Sequence, residues 1–220
     1  MKRGKVRDIL NKLSYEILKK ILMILGYTKV FRYPMFVVYD PGSYLVKGDE
    51  IRQVLNTIRP GDILLRSYKN YLDGYLIPGF FSHVAFYKGD GRVIHAIGYG
   101  VLDEDILTFT RCDSIAIMRF KPGLIDEETI KTVIQRAESL IGKKYDFQFQ
   151  LGDDKYYCSE FVREIYKEKQ FILSVDPEPI NLLFGLVKRK AILPDAFWSS
   201  PALKCVYCNK IVREHFSSES

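Results

Sequence analysis

A cysteine that opens an amphipathic helix, and two histidines on either side of a Gly-Asp-Gly turn, constrain this 220-residue chain more than any other feature. In Tyr156-Tyr157-Cys158-Ser159-Glu160-Phe161-Val162-Arg163-Glu164-Ile165-Tyr166, the apolar Phe161, Val162 and Ile165 follow Cys158 at i+3, i+4 and i+7. Residues so spaced share one stripe of a helix. Cys158 therefore lies on the buried stripe, at its N-terminal tip. Ser82-His83-Val84-Ala85-Phe86-Tyr87 and Arg92-Val93-Ile94-His95-Ala96-Ile97 flank Gly89-Asp90-Gly91, which predicts a hairpin with one histidine on each arm. A thiol at a helix start and two imidazoles on a sheet are the parts of a cysteine nucleophile site.

Parity links the hairpin to the chemistry, because side chains on a strand alternate faces. A three-residue loop, Gly89-Asp90-Gly91, pairs Lys88 with Arg92 and Ala85 with His95. His83 and His95 then share a face as diagonal neighbours, roughly 7–8 Å apart between backbones. A two-residue Asp90-Gly91 turn moves the register by one and sends them to opposite faces. The paired-histidine reading needs the longer loop, in which a terminal Gly suits a left-handed residue.

Five stretches and a closing segment carry a family resemblance. They are Pro60-Gly61-Asp62-Ile63-Leu64-Leu65-Arg66-Ser67, Phe81-Ser82-His83-Val84-Ala85, Ile94-His95-Ala96, Lys144-Tyr145-Asp146-Phe147, Tyr157-Cys158-Ser159-Glu160-Phe161-Val162, and Pro194-Asp195-Ala196-Phe197-Trp198-Ser199-Ser200-Pro201. Their order, histidine first and cysteine late, resembles the YiiX/YebB-like cysteine hydrolases, circularly permuted relatives of the NlpC-type papain-like peptidases. The resemblance covers about residues 58–207. It implies an α+β, circularly permuted papain-like (NlpC-type) fold, with a mostly antiparallel sheet packed against the cysteine helix. It also implies Cys158 as nucleophile, His83 as base and, more weakly, Tyr145 as a substrate or oxyanion contact. Many members carry a glutamate where this chain has His95; the related lecithin retinol acyltransferase branch carries a second histidine there.

Length and composition are those of one globular domain with appendages: 47% hydrophobic and 27% charged residues allow an ordinary buried core. The net charge of +6 is compatible with an anionic partner, but no nucleic-acid motif accompanies it, so none is expected. The spacing of Cys112, Cys158, Cys205 and Cys208 gives no disulfide framework. Cys205-Val206-Tyr207-Cys208 has metal-knuckle spacing, yet a regular strand would point its two thiols to opposite faces. No metal and no cofactor are assigned.

Residues 1–57 read as an N-terminal amphipathic helix and connecting segment, 58–213 as the hydrolase domain and 214–220 as a flexible tail. Ile9, Leu10, Leu13, Ile17, Leu18, Ile21, Leu22 and Leu25 recur at helical spacing against Lys12, Glu16, Lys19 and Lys20. These charges exclude a membrane span of about 20 apolar residues, and no clean secretory signal is legible. The 9–25 stripe either packs on the domain or lies on a lipid surface. A cytoplasmic or peripheral-membrane protein is expected. Met35–Tyr39 reads as a strand outside the matched core. Glu104–Arg111 reads as a helical turn, and 171–193 as an irregular insertion. The aromatic-rich loop 68–81 either walls a cleft or tucks onto the core. Asp62 and Asp146 read as turn residues.

A free cysteine, with a pKa near 8.5, is about 3% thiolate at pH 7, and a helix N-terminus shifts that by less than one unit. A strong nucleophile therefore needs a neighbouring imidazolium, for which His83 is the candidate, with His95 orienting its ring. The chemistry expected is cleavage of an amide or ester acyl bond, in a peptide, muropeptide or lipid, through an acyl-thioester on Cys158. Three alternatives stand beside it. One is a lipid acyltransferase or thioesterase at a membrane surface. Another is a zinc protein using Cys158, His83 and His95. The third is a membrane-binding module with an inert cleft.

Overall fold

Ile63–Ser67, His83–Gly89, Arg92–Ile97 and Ser114–Phe120 are dominated by β-branched, aromatic and other apolar side chains, which fit a pleated, buried surface. All four become strands at the centre of one sheet. The computed structural model describes residues 15–26, 28–32, 35–39, 44–69, 77–152, 154–182 and 187–218. In chain order its strands are β1 (Thr28–Arg32), β2 (Met35–Tyr39), β3 (Ile63–Ser67), β4 (His83–Gly89), β5 (Arg92–Ile97), β6 (Gly100–Asp105), β7 (Ser114–Phe120), β8 (Lys144–Tyr145), β9 (Lys155–Tyr156), β10 (Glu178–Leu182), β11 (Val187–Ala191) and β12 (Leu203–Cys208). The α-helices are α1 (15–25), α2 (Gly48–Thr57), α3 (Ile106–Phe109), α4 (Glu127–Ser139), α5 (Cys158–Ile165), α6 (Gln170–Leu173), α7 (Asp195–Trp198) and α8 (Lys210–Ser217).

The central sheet runs β12-β7-β3-β4-β5-β6, antiparallel at every step. This is the α+β architecture expected. Helix α5 lies across β4 and β5, with α4 against its flank. Alternation along the strands divides the core in two. Leu65, Val84, Phe86, Ile94 and Ala96 pack with Cys158, Phe161 and Val162 of α5. Leu64, Ala85, Tyr87 and Val93 pack with Ile106 and Phe109 of α3.

The β4–β5 hairpin combines the two alternatives that the sequence left open. Its turn is the two-residue Asp90-Gly91, both with positive φ (51° and 69°), the conformation of a type I′ turn. The register nevertheless pairs Phe86 with Ile94 and Tyr87 with Val93, because a bulge between Tyr87 and Gly89 takes up Lys88. One bulged residue restores the parity that the short turn removes. Lys88 is anchored there by Asp103 at 2.8 Å and Glu138 at 3.0 Å.

Other expectations are corrected. Order does not end at Glu214: α8 runs to Ser217, capped by Asn209, because Phe216 stacks on Trp198 at 4.4 Å and on Phe81 at 5.9 Å. Residues 171–193 are not wholly irregular, since β10 and β11 form a hairpin there. β12 is not a regular strand. Its register shifts between Cys205 and Tyr207, and the two knuckle thiols come into contact instead of facing apart. Asp62 does more than close a turn. Fully buried, it accepts two bonds from Arg119 at 2.7 Å as well as the Arg59 amide at 2.7 Å. Asp146 accepts the amides of Gln148 and Gln150, as a turn residue does. Of the predicted 9–25 helix, residues 9–14 lie outside the described residues. The remainder docks through Tyr15, whose hydroxyl donates to the Tyr145 carbonyl at 2.7 Å.

Removing one partner of a buried, hydrogen-bonded ion pair costs about 3 kcal/mol. Asp62→Ala is therefore expected to lower unfolding stability by about that amount in urea titration, with an unchanged m-value.

Candidate active site

Cys158 is the first residue of α5, and the preceding Tyr157 makes no side-chain cap. The amides of the first turn are thus free to face the thiol. Burial pushes the Cys158 thiol up, above its ordinary value, while the Val84 amide, the Ser159 hydroxyl and the amides of Ser159 and Cys158 itself pull the other way. The balance leaves a neutral thiol at pH 7, not the preformed thiolate that a strong ion pair would produce. Sγ meets β4 at the peptide that follows His83. Among the described residues, no hydrogen bond joins it to the His83 ring. Catalytic contacts in unliganded enzymes are often long and tighten in the substrate complex.

The hairpin register brings the two histidines together. His83 Nε2 and His95 Nδ1 are 2.9 Å apart, both rings are buried, and both lean on Phe109. Burial, then the charge of Arg66, holds both imidazoles well below 6.5; for His83, the neighbouring His95 adds to this. Both are neutral at pH 7. His95 engages Nε2 of His83 and leaves its Nδ1 unengaged by that pair; neither histidine lines the cleft at Cys158. On the far side, His95 Nε2 faces Glu104 Oε2 at 3.5 Å, and Arg66 Nη1 lies 4.0 Å from the same oxygen. Registers pairing Arg66 with His83, and Val93 with Glu104, put Arg66, His83, His95 and Glu104 on one face of four adjacent strands.

The entry to β4 is held from a distance. Asp195, at the start of α7, accepts the amides of Phe80 and Phe81, each at 2.7 Å. Gly79 has φ 111°, and a Cβ there would meet Asp195 Oδ2 at 2.5 Å, so the close approach requires glycine. A shallow cleft, partly open to solvent, reaches Cys158; Ile77, Phe149, Tyr157, Ile180 and Ile192 make its walls apolar. Ile77, from the 68–81 loop, is part of that wall. Ser82 also lines the cleft, and its buried Oγ has no hydrogen-bond partner among the described residues. Tyr145 sits one layer back, packed on Phe147 and Phe149.

Sequence reasoning named Cys158, His83 and His95 but missed Ser82, Arg66, Glu104 and Asp195 as parts of the site. Asp195 stood in the closing segment already noted. Glu104 required β6, a strand whose polar second half hides it.

A cysteine at a helix tip over an antiparallel sheet carrying a histidine pair, with the histidine strands before the cysteine helix in sequence, defines a permuted papain-like protein. Residues 57–207 match the family described as permuted papain-like amidase enzymes, YaeF/YiiX, C92, and the chain belongs to that family. A 51-residue stretch is 41% identical to the uncharacterized protein YiiX of Escherichia coli K12; it is 23% of this chain and 25% of that protein's length. The fold also resembles the crystal structure of metalloprotein YiiX from Escherichia coli O157:H7. The TM-score is 0.59 and the identity 18%, covering 70% of this chain and 98% of that one. Among the described residues, no three His, Cys, Asp or Glu side chains are grouped as metal ligands.

Three outcomes follow from these environments. Alkylation of Cys158 in the free protein should keep rising beyond pH 9, without a plateau near neutrality, when followed by mass spectrometry. Each histidine is harder to protonate folded than unfolded, so its stabilisation is complete above pH 6.5 and is lost as pH falls below that value. Chemical denaturation midpoints should therefore drop from pH 7 to pH 5, and His95→Gln should flatten that dependence. Asp195→Ala, by freeing the Phe80 and Phe81 amides, should cost about 1–3 kcal/mol and slow Cys158 labelling.

Proposed function

We propose that the protein is a cysteine hydrolase that cleaves an amide or ester acyl bond through an acyl-thioester on Cys158. The observation that carries this is the Cys158 thiol at a helix tip, in contact with amides that include that of Val84, the residue after His83, and opening on an apolar cleft. His83 Nδ1 takes the thiol proton as sulfur bonds to the acyl carbon. The Cys158 amide and the Ser82 hydroxyl hold the oxyanion. Collapse expels an amine or alcohol, which takes the proton from His83. Water, deprotonated by His83, then cleaves the thioester, releasing the acid and restoring the thiol. His95 acts by orienting His83, and Tyr145 supports the cleft wall through Phe149. Because the imidazoles are neutral at pH 7, His83 acts as a general base and not as half of an ion pair. The substrate is a peptide, muropeptide or lipid acyl compound, and residues 58–213 form the catalytic unit, with 1–57 appended.

A membrane-surface form of this reading has its own support. On α1, Ile17, Ile21 and Ile24 are 52%, 47% and 63% exposed at i, i+4 and i+7, while Tyr15 and Met23 turn to the domain. Lys19 and Lys20 are on the same helix. No described helix is long and apolar enough to cross a membrane. An interfacial helix over a lipid substrate fits this pattern and a peripheral location.

Labelling with electrophilic peptide and lipid probes tests the main reading. Cys158→Ala should abolish labelling and turnover, and His83→Ala should slow labelling on the order of 10²-fold or more. His95→Glu should retain activity. Equal labelling with and without His83 would uncouple the pair and sink the proposal. For the surface form, flotation with anionic vesicles should be lost on changing Ile17, Ile21 and Ile24 together to glutamate; unchanged flotation rejects it.

A further inference from the structure

Two buried polar atoms face each other across 3.5 Å, His95 Nε2 and Glu104 Oε2, and neither has any hydrogen-bond partner among the described residues. Buried polar atoms are rarely left unpaired, so a pair of orphans aimed at each other marks a hydrogen bond that a shift of a few tenths of an ångström completes. Its direction decides the chemistry of the histidine at the other end. We propose that Glu104 is a positioning residue that sets the tautomer of His83 through His95. This rests on the reading of His83 as the base for Cys158.

An ionised carboxylate only accepts. Facing it, neutral His95 carries its proton on Nε2, which leaves Nδ1 as an acceptor. That acceptor is 2.9 Å from His83 Nε2, which must then carry the His83 proton. His83 Nδ1 is left with a lone pair, and it is the nitrogen free to receive the thiol proton. With no acceptor at position 104, the chain reverses. His95 Nδ1 donates to His83 Nε2, the His83 proton moves to Nδ1, and the ring loses its capacity as base toward Cys158. One carboxylate thus transmits direction along two imidazoles without touching the thiol.

The charges around Glu104 suit this task. Arg66 approaches from β3 at 4.0 Å, Arg92 acts from β5 and Arg111 from beyond α3, against Asp105 beside it on β6. Burial raises the carboxyl's pKa, and the three guanidiniums oppose that rise and favour its ionised form. Arg66 also stacks on Phe109, at 4.1 Å from the ring centre, and donates to the Phe109 carbonyl at 2.8 Å, so it is fixed in place. The relay departs from a design in which a carboxylate contacts the base directly: here an imidazole stands between, and the carboxylate comes from the next strand.

The test is the nitrogen spectrum of the full chain labelled at histidine, recorded near pH 8; only three imidazoles contribute. Both His83 and His95 should be Nε2–H tautomers in the wild type. Glu104→Leu should move His83 toward the Nδ1–H form and slow probe labelling of Cys158 on the order of 10²-fold, the scale of a lost general base. Glu104→Asp should restore the Nε2–H form and most of the rate. A wild-type His83 carrying its proton on Nδ1, or tautomers unchanged in Glu104→Leu, overturns the assignment. The wild-type spectrum stands as a test even where the leucine variant fails to fold. Correct tautomers in a protein whose Cys158 is never labelled would instead overturn the hydrolase reading and leave the relay in place.

Discussion

Side chains on paired strands keep a common face only while the register holds, and between β4 and β5 the register is corrected at Lys88. The Asp90-Gly91 turn by itself would put His83 and His95 on opposite faces. The bulge at Lys88 adds one residue to one arm, and the two rings meet at 2.9 Å. The row from Arg66 to Glu104 and the packing of both rings on Phe109 depend on that parity. Bulges are common beside active sites because they re-aim a side chain without disturbing the rest of a sheet. The salt bridges of Lys88 to Asp103 and Glu138 tie this bulge to β6 and α4.

Burial sets the electrostatics. A dry environment disfavours both the thiolate and the imidazolium, so thiol and imidazoles alike rest uncharged at pH 7. The charges on that row are Arg66 and Glu104, on its two outer strands, whose side chains approach to 4.0 Å beside His95. In the proposed mechanism, reactivity depends on proton transfer to a correctly poised nitrogen and not on a standing nucleophile. Ile77, Phe149, Ile180 and Ile192 line the cleft at Cys158 with apolar surface.

Much of this was legible in the sequence. The i, i+3, i+4, i+7 stripe placed Cys158 at the tip of α5, and alternation placed both histidines on strands. What the sequence could not settle came from non-local pairing. Asp-Gly predicts a tight turn, but nothing local announces a bulge two residues earlier. Glu104 belongs to a strand with a polar second half, Leu102-Asp103-Glu104-Asp105, and its partner is set by the Val93 pairing. The burial that lowers the histidines and raises the cysteine depends on Phe109 and on residues of α5, far apart in the chain. The tail was misjudged for a similar reason: Phe216 is ordered by Trp198 and Phe81, which lie far from it in sequence.

The most direct measurement is intact-protein and peptide mass spectrometry after rapid quenching in acid with an activated acyl ester. A cysteine hydrolase should show one added acyl group on the peptide containing Cys158. The adduct should be sensitive to hydroxylamine, decay as acid is released, and persist longer when His83 is replaced. An acyl group found instead on Cys205 or Cys208, or product formed at an undiminished rate by Cys158→Ala, would contradict the assignment of Cys158 as the nucleophile.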